Sequence, residues 1–162
     1  MTTTGTMPTV TCPTTGVTLP VPPGWEQVDA PGCTLALAGP PRPAARNGTE
    51  MRASVVVTAH PHTDGTSSDV HALGHAALAA ATLEPGSQPI AYDPLPLPGA
   101  IGSRRLIISA TQGSLPVEIT QILAVTGHHA LSITATRPVG YLGDPGATTS
   151  TVLDGIDLGE GA

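Results

Sequence analysis

Residues 52–83, RASVVVTAHPHTDGTSSDVHALGHAALAAATL, constrain the fold more than any other stretch. Val55, Val56, Val57 and Thr58 are all β-branched, and such side chains pack well on a pleated surface. Odd positions (Ala53, Val55, Val57, Ala59) are wholly apolar, whereas even positions (Ser54, Val56, Thr58, His60) are mixed. Successive strand side chains point to opposite faces, so one face of this strand should be covered and the other more exposed. After a Pro/Asp/Gly turn the period changes from two to about 3.6. Val70, Leu73, Gly74, Ala77, Ala80 and Ala81 then share one helical stripe. Thr66 and Asp69 have capping-box spacing, with Asp in place of the usual Glu. Pro85-Gly86 stops the pattern. A main helix is therefore expected over residues 66–84, and its small residues allow it to lie close on a sheet.

A second pattern follows. Ser103 to Thr111, Leu115 to Thr126 and Ala130 to Thr136 alternate at period two, and Gln112-Gly113-Ser114 and Gly127-His128-His129 separate them. This is the signature of an antiparallel meander, expected at the centre of the sheet. Leu106, Ile108 and Ala110 share a face; so do Val117, Ile119, Gln121, Leu123 and Val125, and so do Leu131, Ile133 and Ala135. Arg104 and Arg105 straddle both faces of a strand start, and one of them is expected to pair with Glu118. Ile90-Ala91-Tyr92, in a Pro-rich segment, reads as an edge strand, where Pro is tolerated.

Before the central unit, Val10 to Val21 reads as one or two short strands, closed by the stiff corner Pro20-Val21-Pro22-Pro23-Gly24. Trp25 follows as a core plug or as a ring on which a ligand stacks. Thr34 to Ala38 is a short strand, and Pro40 to Glu50 is a loop. Asp144-Pro145 starts a short C-terminal helix over residues 144–154, and Gly155 opens a trailing segment. One domain over residues 10–158 is expected, between a Thr-rich tail at 1–9 and a tail at 159–162. A chain of 162 residues can bury an ordinary core. With no Phe and one Trp, aliphatic residues must fill it. The high content of Gly (19) and Pro (18) belongs to loops and tails.

This order of elements, with Gly16-Val17-Thr18-Leu19-Pro20 and Pro23-Gly24-Trp25, resembles the Mog1/PsbP-like α/β/α sandwich, and within it the LpqN/LpqT-like branch known from actinobacteria. The resemblance implies an α+β fold with a central antiparallel β-sheet, no shared catalytic residues, and work as a binding or adaptor protein.

Six scattered arginines in a chain of net charge −6 form no basic stripe, which argues against nucleic acid. No run of about 20 apolar residues speaks for a membrane span. The first ten residues have neither the basic nor the apolar region of a signal peptide, so a cytoplasmic setting is expected. In that setting Cys12 and Cys33 are expected as thiols, and as a disulfide only if the protein is exported.

Two groups of site residues stand out. Trp25, Tyr92 and Arg104 are candidates for binding. His60 and His62 share strand parity, and His71 and His75 share a helix face at i, i+4. Either pair could chelate a divalent ion, with Asp64 and Asp69 near in sequence; solvated histidines are the plainer reading. His128 and His129 read as surface residues of a turn. No cofactor is implied beyond incidental capture of a divalent ion. Nucleophile-elbow, phosphate-loop, H-E-x-x-H and dinucleotide motifs are absent. The expectation is a non-catalytic protein, monomer or homodimer, that meets a protein partner through apolar meander residues on an open sheet face and through Trp25. The alternatives are a metal-binding protein using the histidines, and an enzyme with an unrecognised site between helix and sheet.

Overall fold

The computed structural model describes residues 6–43, 50–61, 70–140 and 145–159. Its spine is the expected meander. Strand β9 (Gly102–Gln112) turns at Gly113-Ser114 into β10 (Leu115–Val125), which returns as β11 (His129–Pro138). The β-branched run forms β7 (Ser54–Pro61), antiparallel to β11. Beyond β7 lie β4 (Leu35–Ala38) and β3 (Glu26–Gln27); beyond β9 lies β8 (Gln88–Pro94). The order β3-β4-β7-β11-β10-β9-β8 is antiparallel throughout. The centre is thus β11, with β7 and β10 at its sides; β9 is second from the edge. β8 is the expected edge strand, and a register shift between Pro89 and Ala91 breaks its ladder. Two small hairpins complete the strands. One joins β1 (Thr9–Thr11) to β2 (Thr18–Pro20); the other joins β5 (Arg42–Pro43) to β6 (Glu50–Met51).

Helix α1 (Val70–Leu83) lies over β8, β9 and β10 on one face. Thr66 and Asp69, the expected cap, lie outside the described residues. Gly74 and Ala81 are the buried residues of α1, and Ala77 and Leu78 pack beside them on Leu106 and Ile108. Ala80, expected on the buried stripe, is exposed.

The larger core lies on the opposite face. Helix α2 (Pro145–Asp154) and β2 close over it, with Val17, Leu19, Val152, Ile156 and Leu158 packed on Leu37, Val55, Val57, Ile122, Leu131 and Ile133. The trailing segment is therefore core: Thr18 and Asp157 exchange backbone hydrogen bonds of 2.7 and 3.0 Å. Fully burying such aliphatic side chains contributes about 1.5–3 kcal/mol each, so this layer dominates the stability of a chain without Phe.

Register decides which residues share a face, because directly opposed residues point the same way. Leu106, Ile108 and Ala110 oppose Gln121, Ile119 and Val117, all on the α1 face. Leu131 and Ile133 oppose Ala124 and Ile122 and so face α2. On the α1 side, β11 and β7 instead present Ser132, Thr134, Thr136, Ser54, Val56 and Thr58. These are half-buried, beyond the reach of α1. Gln121 Nε2 donates to Ser132 Oγ at 2.9 Å within this hydroxyl row. Among the described residues this part of the sheet mainly bears hydroxyls, with Val56 in its middle, where an apolar meander surface was expected.

Candidate functional site

Helix α1 and the two strands beneath it gather four of the singled-out residues. Tyr92 on β8 opposes Leu106 on β9 and so faces α1. Arg104, two residues earlier on β9, has the same parity. Its guanidinium carbon stands 5.3 Å from the centroid of the Tyr92 ring, a cation–π contact. Arg104 Nη2 donates to His71 Nδ1 at 3.0 Å. Arg has no acceptor, so this nitrogen of His71 must accept. One helical turn on, the His75 ring lies 6.2 Å from that of Tyr92. Gly74 makes the arrangement possible, because a Cβ there would stand 2.8 Å from Tyr92 Cζ and closer still to Oη. Tyr92 Oη is buried there with no hydrogen-bond partner among the described residues.

From His75 the surface continues along α1 as an open apolar depression lined by Leu78, Ala79, Thr82 and Leu83. Leu83 is 82% exposed, and Ile90, across the turn into β8, is 61% exposed. Sequence reading missed both. Leu83 lies off the buried stripe at the helix end, a signal present in the pattern. Ile90 projects where β8 loses register, which no local pattern reveals.

On the other face a groove of about 450 Å³ runs between α2, the segment 95–98 and the sheet. Ile107, Ile122, Leu153 and Ile156 supply its apolar lining, and Arg105, Glu118 and Asp154 its charges. Arg105 pairs with Asp93 at 3.1 Å. Glu118 does not take Arg104 or Arg105, as expected from sequence. It stands directly opposite Arg137, whose Nη2 and Nε lie 2.9 and 3.0 Å from Glu118 Oε1. Cross-strand opposition sets that pair.

No protein-family model and no curated protein matches the chain. Solved structures do. LpqN of Mycobacterium tuberculosis, described as involved in cell envelope biogenesis, aligns at a TM-score of 0.59 and 18% identity, over 85% of this chain and 76% of its own. The cyanobacterial PsbP of Synechocystis aligns at 0.58 and 12% identity, over 96% of this chain and 94% of its own. The chain has the Mog1/PsbP-like fold.

In this Mog1/PsbP-like domain the remaining candidates stand apart from α1. Trp25 is 8% exposed and belongs to the main core. The Pro23-Gly24 turn, with Gly24 at φ 80° and the Trp25 amide donating to Pro22 O at 3.0 Å, drives the indole down onto Gly39. A Cβ at Gly39 would stand 3.1 Å from the ring. His60 is exposed at the end of β7. Two strands separate β7 from β9, which puts those strands about 14 Å apart at ~4.8 Å per step. His62, Asp64 and Asp69 lie outside the described residues. Among the described residues, no three His, Cys, Asp or Glu side chains gather as a metal site, and the Arg104 guanidinium beside His71 opposes a second cation. His128 is exposed, and His129 is half-buried with Nδ1 unpaired.

Cys12 and Cys33 are free thiols. Burial pushes the Cys12 thiol up. Hydrogen bonds from the side chains and backbones of Thr14 and Thr15 outweigh that effect and bring it down to about 7.

Proposed function

We propose that this chain is a non-catalytic binding protein that meets a protein partner through the outer surface of α1 and the adjoining turn into β8. The exposure of Leu83 and Ile90 on either side of that turn carries this reading. Large apolar side chains that stay in water beside an apolar depression are the mark of a contact surface. Arg104, stacked on Tyr92 at the other end of α1, supplies a planar donor for a partner's acceptors. Envelope-building proteins are the first partners to test, since LpqN, which shares the fold, is involved in cell envelope biogenesis.

The test places a photo-crosslinking amino acid at Leu83 in cells, and the same group at Ser114, an exposed turn residue, as control. A discrete adduct from position 83 that is absent from position 114 is expected. Identical patterns at both positions, no adduct from 83, or only a covalent dimer of this chain would overturn the proposal.

A further inference from the structure

The groove under α2 has a definite chemistry of its own. Its volume of about 450 Å³ falls in the range of small-ligand sites. Two of its charges are already matched. Arg105 is held by Asp93, and Glu118 by Arg137. Both Arg137 contacts fall on Glu118 Oε1, so Oε2 is left as an acceptor. Asp154, at the last turn of α2, takes part in no ion pair and no hydrogen bond among the described residues. The hydroxyls of Thr120 and Ser150 also line the groove. Arg105 Nε is buried out of a ligand's reach, and the charge of its guanidinium is matched by Asp93 at Nη2. The groove is thus left with one unmatched negative charge, on the exposed Asp154, beside an aliphatic floor.

We infer that this groove binds a primary ammonium carried on an apolar chain, the ammonium at Asp154 and the chain on Ile107, Ile122, Leu153 and Ile156. An ammonium carries the opposite charge and three donors, which suits an unpaired carboxylate in a groove also lined by hydroxyls. A carboxylate ligand would meet Asp154 with like charge. The same chemistry is offered by a free alkylamine and by a lysine in an apolar segment of another protein.

The experiment follows amide chemical shifts of the full chain during titration with hexylamine, 1-hexanol, hexanoate and the capped peptide Ac-Leu-Lys-Leu-NH2. Hexylamine should shift residues 118–122 and 150–156 and bind about tenfold more tightly than hexanol, the factor expected for one charge-assisted hydrogen bond. Hexanoate should not bind. Asp154→Asn should bring hexylamine down to the level of hexanol, and Ser150→Trp, at an exposed rim position, should abolish both. Binding of the peptide in place of hexylamine would assign the groove to a partner's lysine. Equal binding of hexanoate, shifts confined to other regions, binding of neither amine nor peptide, or an Asp154→Asn variant that keeps its amine preference would overturn the inference. None of these outcomes bears on the α1 surface, which lies on the other face of the sheet.

Discussion

Tyr92 Oη is buried against α1 with no hydrogen-bond partner among the described residues. A buried hydroxyl that makes no hydrogen bond costs on the order of 1–3 kcal/mol. Tyr92→Phe should therefore raise the urea-unfolding free energy by about 1 kcal/mol. Gly74→Ala should lower it by about 1–3 kcal/mol through overpacking, despite the better helix propensity of Ala. The double variant should recover part of that loss, because the nearest clashing atom is gone while Tyr92 Cζ remains close. Cys12 supplies a pH signature. Its thiol value is depressed in the folded state, from 9.0 to about 7. The stability this adds is complete above 9.0 and vanishes as pH falls through about 7. Wild type should thus gain up to about 2–3 kcal/mol over Cys12→Ala between those limits, measured by urea unfolding across the range. At this scale the sequence was readable where local geometry dominates. The Pro-Pro-Gly-Trp corner showed that Trp25 is turned sharply. Whether the ring ended in core or at a surface depended on Gly39, fourteen residues away.

Among the elements, the meander was legible because alternation and Gly-bearing turns are local signals. What covers each face was not. Alternation says that the two faces of a strand differ, and only register says which faces of neighbouring strands coincide. Leu131 and Ile133 look like companions of the odd residues of β10, yet they oppose Ala124 and Ile122 and point to α2. For the same reason the larger core lies away from α1, under short N-terminal strands and a Thr-rich helix of poor propensity. The small-residue helix α1 rests on a lesser cluster around Leu106 and Ile108. Amide hydrogen exchange should reflect this division. The slowest amides should lie in β7, β10 and β11, and those of α1 should exchange through openings cheaper than global unfolding. Leu131→Ala should cost about 2–5 kcal/mol, since Leu131 is 1% exposed in the main core.

Among the described residues, α2 and β2 close over the main core on one face of the sheet and leave a groove beside it, and α1 covers β8, β9 and β10 on the other. The sequence could not show that Ser and Thr would surround Val56 on the part of that face beyond α1, or that Leu83 at the end of α1 and Ile90 on β8 would both be exposed. That follows from the placement of α1 over β8, β9 and β10, a consequence of strand order and not of any local pattern. The groove was likewise invisible in the sequence, because its lining comes from four separated segments. One face carries α1 with its exposed Leu83, and the other holds the larger core and a small concavity. The most direct measurement is the affinity of the partner captured at position 83, once purified, for wild type and for Leu83→Asp. Leu83 is so exposed that the substitution should leave Tm unchanged while binding weakens at least tenfold, on the order of 1.4 kcal/mol. Equal affinity for both proteins would contradict a contact surface on α1.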